Sequence, residues 1–272
     1  MSMKSDRIRI FEDTLNICNE NTFLQSSILK SKKEQIVILE NETIETSESR
    51  YKDKANIFVS KDRTFIGAHK YIDQGKIAVH NFASATNPGG GVRNGSNAQE
   101  ECLCRCSTLY PVLTQQNNFN KFYIPHRNGL EKIYNDDCIY TPNIVVIKKD
   151  ANEPILIDES QWFTVDIITC AAPNLRAVNR KITDKELLSI HIKRLTRILD
   201  IAKYNKVDNI ILGAFGCGAF QNSPEIVARA AHTVIQNYIY DFKNIEFAVY
   251  CTDKQQYNYT VFKRWFAKEV KK

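Results

Sequence analysis

An α/β fold is predicted for this chain of 272 residues by two features of its pattern. From about residue 77, short apolar runs alternate with helical stretches, and twice a buried run opens into glycines and then a helix, at 77–113 and 209–240. In open α/β sheets such loops lie at the carboxyl ends of strands, where ligands bind. Composition agrees: 43% hydrophobic and 25% charged residues are ordinary for a folded globular protein. The length suits one large α/β domain, or one domain with an N-terminal extension, better than two full domains.

Residues 1–70 read as a mainly helical, charged extension, with Ile8, Ile10, Phe11, Leu15 and Ile17 forming an imperfect helical stripe. The core is expected over 71–272. Ile77–Ala83 reads as a buried strand and Gln99–Leu113 as a helix ended around Pro111. Cys138–Tyr140 and Ile144–Ile147 flank Pro142 and predict an interrupted or edge strand. Val165–Cys170 is a further strand, stopped by Ala171-Ala172-Pro173. A long helix is expected over 184–204, opened by a capping box at Thr183 and Glu186 and carrying Leu187, Ile190, Leu195, Ile198 and Ile201 on one face. Asn209–Leu212 is a strand, and Ser223-Pro224-Glu225 starts a helix in the favoured order of N-cap, proline and acidic first turn. A last strand, Ile245–Tyr250, precedes an amphipathic helix containing Val261, Phe262, Trp265 and Phe266.

The net charge of +6 comes from scattered lysines, which favours phosphate-bearing partners without predicting direct nucleic-acid binding. No apolar run approaches the roughly 20 residues that cross a bilayer. The start, Met1-Ser2-Met3-Lys4, lacks a signal-peptide core, so an intracellular, cytoplasmic protein with no membrane partner is expected. The eight cysteines are then expected to be reduced. Cys102, Cys104 and Cys106 invite a zinc site, but on a helix Cys104 points about 200° from each neighbour, so the three cannot close a tetrahedron. No metal-ligand spacing occurs elsewhere, and no metal or cofactor is expected. His126 and His191 are lone histidines and read as structural.

The chemistry concentrates in Asn81–Glu101, where Gly89-Gly90-Gly91 precede Gln99-Glu100-Glu101 by seven residues. Three glycines after a buried strand are costly in chain entropy unless backbone must approach something closely. Acidic residues in a first helical turn can be there for the helix dipole alone. Beside a glycine turn able to cradle phosphate or ribose, however, one carboxyl can position hydroxyls while its neighbour exchanges a proton with a leaving oxygen. That combination suggests a hydrolase of a nucleotide sugar. The second loop, Gly213–Phe220, has no Lys-Ser or Lys-Thr and no dinucleotide fingerprint, which argues against ATP hydrolysis and hydride transfer. It reads as a backbone nest for phosphate, with Phe220 offering a ring to ribose or base; the plain alternative is a tight turn with Phe220 in the core. Cys217 has no histidine near it in sequence to make it a nucleophile.

The segments Asn81–Gly91 and Gln99–Tyr110 resemble the signature of the bacterial-type poly(ADP-ribose) glycohydrolases: GGG, six to eight residues, then QEE. Tyr140–Asn143, Ile167–Asn174 and Gly213–Asn222 are also similar, so the resemblance spans nearly the whole chain. It implies a macrodomain-like three-layer α/β/α fold with a mixed central sheet and an N-terminal mainly helical extension. It implies hydrolysis of the ribose-ribose bond of poly(ADP-ribose), attacked at chain ends, with ADP-ribose as product and no cofactor. Carried over by position, Glu101 is the catalytic acid and Glu100 holds ribose hydroxyls. Gly89, Gly90, Gly91 and Val92 pass under the diphosphate, Gly216, Cys217, Gly218, Ala219 and Phe220 cover it, and Gln99 supports the glutamates. Ser84 stands where animal relatives carry asparagine, which leaves Asn87 as the candidate for the terminal ribose. The rival expectations are a hydrolase of single ADP-ribose marks on protein or nucleic acid, and a macrodomain that only binds ADP-ribose.

Overall fold

The computed structural model describes residues 3–45, 48–129 and 131–267, so Met1 and Ser2 and the last five residues of the expected core lie outside the described residues. The strands are β1 (Ile36–Ile38), β2 (Asn56–Ser60), β3 (Ile77–Phe82), β4 (Cys138–Val146), β5 (Phe163–Cys170), β6 (Asn209–Leu212) and β7 (Asn244–Ala248). They form one sheet in the order β1-β4-β5-β3-β6-β7-β2. It is mixed: β4 runs antiparallel to β1 and β5, and all other pairs are parallel.

Helices cover both faces. On one side lie α1 (Met3–Glu20), α2 (Thr22–Glu34), α3 (Thr64–His69), α4 (Gln99–Cys106) and α5 (Leu109–Leu113). A broken helical run follows, α6 (Gln116–Asn118) and α7 (Ile124–Asn128), joined by a π-helical turn at Phe119–Tyr123. On the other side lie α8 (Asp184–Tyr204), α9 (Pro224–Ile235) and α10 (Tyr257–Phe266). The two-residue period of a strand divides the apolar side chains between two cores. Ile77, Val79, Val165, Ile167 and Ile211 pack with Phe11, Phe65 and Leu103. Ala78, Ile168, Cys170, Ile210 and Leu212 pack with Ile198, Ala231 and Phe262. Strands buried on both faces need continuous apolar runs, and that is how the central strands read in sequence. The three-layer α/β/α arrangement is therefore present. Among the described residues, no helix is long and apolar enough to cross a membrane.

Several local expectations change. The first seventy residues are helical over α1 and α2, but they also supply β1 and β2, the two edge strands of the sheet. The expected helix 99–113 is two helices, broken where Ser107 turns extended (φ −151°, ψ 176°). The extension of β4 captures the backbone there: Thr108 N donates to Val145 O at 3.0 Å and Ile147 N to Cys106 O at 2.8 Å. Pro111 sits inside α5 and ends nothing. β4 is one strand, interrupted by an irregularity between Thr141 and Ile144, with Asn143 at φ +60°. Only half of the capping box forms at α8: the Thr183 hydroxyl accepts from Glu186 N, while the Glu186 carboxylate pairs with Arg180.

Candidate active site

Helix α4 places Glu100 and Glu101 in its first turn, where the helix dipole favours acids, yet both are almost wholly buried. Gln99, at the helix start, anchors them to the sheet. Its Oε1 accepts from Phe82 N at 2.8 Å, and its Nε2 donates to His80 O at 2.7 Å and Thr64 Oγ1 at 3.1 Å, so α4 is tied to the end of β3 and the start of α3. The two carboxylates then meet different surroundings. Glu100 accepts from Ser84 N at 2.7 Å, Gly89 N at 3.2 Å and Asn81 Nδ2 at 3.3 Å. Burial nonetheless pushes its pKa up to about 8, against the pull of these donors and helped by the neighbouring Glu101. Glu101 accepts from Gly91 N at 2.9 Å through Oε1, while its Oε2 is buried without a hydrogen-bond partner among the described residues.

The glycine turn exists to bring backbone against these acids. Gly89 and Gly90 take φ +71° and +58°, in the left-handed region. A Cβ on Gly90 would stand 2.5 Å from Glu101 Oε1 and 3.1 Å from Glu100 Oε2. All three glycyl amides are already engaged: Gly89 N by Glu100, Gly90 N by Asn87 O and Gly91 N by Glu101. The expected role of these amides under a diphosphate is thus occupied here by the glutamates.

The second loop is the reverse case. Among the described residues, the amides of Gly216, Gly218, Ala219 and Phe220 have no hydrogen-bond acceptor within the chain, while those of Cys217, Gln221 and Asn222 close tight turns. Behind the loop, Asn222 is buried and donates to Pro173 O at 2.8 Å and Gly216 O at 3.1 Å, and its Oδ1 meets His191 Nε2 at 2.8 Å. His191, which reads as a lone structural histidine, therefore braces this loop. Burial lowers His191 to about 4 and His80, wedged between Phe82 and Phe215, to about 3. Both rings are neutral at physiological pH.

One cleft of about 340 Å³ lies between the two loops, lined by Glu100, Glu101, Gln99, Gly90, Ser84, Gly216, Gly218, Ala219 and Phe220. Gly89, Gly91 and Val92 stand behind this surface, and Val92 is core. Two expected contacts point elsewhere. Asn87 lies outside the cleft, its Oδ1 accepting from Arg127, and Ser84 takes the lining position instead. Cys217 packs against the core beneath the loop, and burial pushes its thiol pKa well up, which disfavours a thiolate.

Sequence reasoning missed further lining residues: Asp62, Arg63, Thr64, Asp150, Tyr250 and Asn258. Arg63 lies 4.0 Å over the Tyr250 ring and 3.7 Å from Asp150 Oδ1. Asp62–Thr64 and Tyr250 follow the carboxyl ends of β2 and β7, and that position was the available signal. Asp150 and Asn258 carried none.

Residues 5–149 match the family model described as microbial-type PARG, catalytic domain. Among solved structures, poly(ADP-ribose) glycohydrolase from Thermomonospora curvata is 26% identical with a TM-score of 0.87, over 96% of this chain and 99% of that one. The same enzyme bound to the inhibitor ADP-HPD gives a TM-score of 0.81 at the same identity and coverage. The Deinococcus radiodurans poly(ADP-ribose) glycohydrolase in complex with ADP-ribose is 29% identical, with a TM-score of 0.80 over 89% of this chain and 98% of that one. No curated protein matches.

Proposed function

Because the chain belongs to the family of microbial-type PARG catalytic domains, we propose that its cleft hydrolyses the ribose-ribose O-glycosidic bond of poly(ADP-ribose), with Glu101 as general acid and then general base. Poly(ADP-ribose) glycohydrolase activity with release of ADP-ribose follows from that membership and from the likeness to the two bacterial enzymes. The assignment to Glu101 rests on one observation: its Oε2 is the carboxylate oxygen of the pair that no group among the described residues engages. A proton on that oxygen can pass to the ribose oxygen leaving from the next unit as C1″ gains oxocarbenium character. The resulting carboxylate can then take a proton from the attacking water. A single acid/base differs from the usual glycosidase layout, in which two carboxyls flank the bond several ångströms apart. Adjacent residues of one helical turn cannot reach both sides of a sugar.

Glu100, with both oxygens held, keeps its neighbour's turn in place and presents its buried edge to the ribose hydroxyls. The free amides of Gly216, Gly218, Ala219 and Phe220 are the donors suited to the diphosphate. Phe220 and the half-exposed Tyr250 offer flat apolar faces to the base or ribose. The polymer carried on modified proteins is the substrate this arrangement suits. Glu101→Gln tests the mechanism: ADP-ribose release from labelled polymer should be abolished while ADP-ribose binding, followed by calorimetry, is kept. Parental turnover by this variant overturns the assignment.

A further inference from the structure

Helix α4 carries a second buried group with no part in the chemistry above. Arg105 lies four residues after Glu101 and is 1% exposed. Its guanidinium meets neutral partners: Ser96 O at 2.6 Å from Nη1, and Asn97 Oδ1 at 2.5 Å and Cys102 Sγ at 3.3 Å from Nη2. A buried cation is costly, and the buried carboxylate of Asp150 offsets that cost only through space, without a hydrogen bond to Arg105 among the described residues. The use of an arginine here calls for a further reason, to be found in its direct hydrogen bonds.

That reason lies in where the partners lead. Ser96 and Asn97 belong to the 92–98 bridge between the glycine turn and the glutamates. Ser96 N donates to Gly91 O at 3.1 Å, and Gly91 N donates to Glu101 Oε1 at 2.9 Å. The path from Glu101 through Gly91 and Ser96 to Arg105 therefore returns to the helix on which it began, closing a ring around the bridge. The planar fork of an arginine suits two divergent acceptors at once, which a lysine cannot match. Helix α1 holds the ring from outside: Thr14 Oγ1 donates to Arg105 O at 2.6 Å, and Gly95, at φ +71°, is pressed against Lys4 O.

We infer that Arg105 is a positioning residue for Glu101. By clamping Ser96 and Asn97 it keeps the Gly91 amide on Glu101 Oε1 and so leaves Oε2, which has no hydrogen-bond partner among the described residues, as the oxygen available to the substrate. The inference rests on the assignment of Glu101 as the acid. Reacting groups displaced by about 1 Å can lose on the order of 100-fold in rate, so the clamp acts on turnover more than on binding.

The test compares the full chain with Arg105→Lys, and with Arg105→Met, which removes the buried charge and serves if the lysine variant does not fold. Four quantities are measured on cooperatively melting protein: kcat and KM on poly(ADP-ribose), the Kd for ADP-ribose, and hydrogen exchange at the Gly91 amide. The expected result is a kcat roughly 10- to 100-fold lower, less severe for lysine than for methionine, with KM and Kd within about three-fold. The Gly91 amide should exchange at least about ten-fold faster while core amides are unchanged. A folded variant with parental kcat overturns the inference, and so does a loss of kcat matched by an equal loss of affinity. Glu101→Gln run alongside separates the two ideas. If it keeps parental turnover, the acid assignment fails whatever Arg105 does; if it is inactive while Arg105→Lys is parental, only the positioning role fails.

Discussion

Gly90→Ala should disable the enzyme through a single methyl group. At φ +58° an alanine bears a left-handed penalty of roughly 1–2 kcal/mol. Its Cβ would stand 2.5 Å from Glu101 Oε1, where ordinary contact begins at 3.4 Å, so the carboxylate must retreat by about 0.9 Å or the turn must open. Either movement breaks the 2.9 Å bond from Gly91 N and leaves a buried polar group unpaired, at a cost of roughly 1–3 kcal/mol. Together these terms come to about 2–5 kcal/mol of stability, and a displacement near 1 Å implies a kcat down about 100-fold. The assay is release of ADP-ribose from polymer under saturating conditions, with a melting curve on the same preparation. Gly129→Ala is the comparison, because its Cβ would meet nothing closer than 3.6 Å and its φ is −64°. That variant should match the parent in melting temperature and rate. Gly90→Ala with a kcat within three-fold of the parent would refute the claim that the glycine turn and Glu101 are in steric register.

Two further outcomes follow from the surroundings of the site. Glu100 has its folded pKa raised from 4.5 to about 8, so it holds more protons folded than unfolded between those values; its burden on stability is absent below about 4.5 and grows as pH rises through 8. Glu100→Gln lacks that slope, and its melting temperature should gain on the parent's between pH 5 and pH 8; a constant difference across that window contradicts the burial argument. Asn222→Ala removes the donor to Pro173 O and Gly216 O and the acceptor facing His191. Leaving these buried groups unpaired should cost about 2–4 kcal/mol in denaturant melts and raise KM for polymer about ten-fold, through the loop more than the acid. An unchanged KM would detach the Asn222 brace from substrate binding.

Much of the architecture was legible because period-two burial leaves a direct trace. The runs at 77–82, 165–170 and 209–212 are apolar on both faces and became central strands with helices on both sides. Edge strands leave less: β1 is three residues long and β2 lies within a charged region, so neither stood out from the helical extension. The break at Ser107 was invisible because it depends on capture by residues of β4, nearly forty positions later.

By itself the sequence determined that acids and glycines had to meet. A glycine triplet after a buried strand and adjacent glutamates at a helix start are local statements, set by backbone sterics and helix electrostatics. Only the tertiary structure decided how the acids divide: among the described residues, Glu100 is held by donors from Ser84, Gly89 and Asn81, and Glu101 by Gly91. It also moved Asn87 out of the cleft and brought Arg63, Asp150 and Tyr250 into it. Hydrogen-bond partners and cleft walls depend on which chain segments arrive from far away in sequence, and no local pattern encodes that distance.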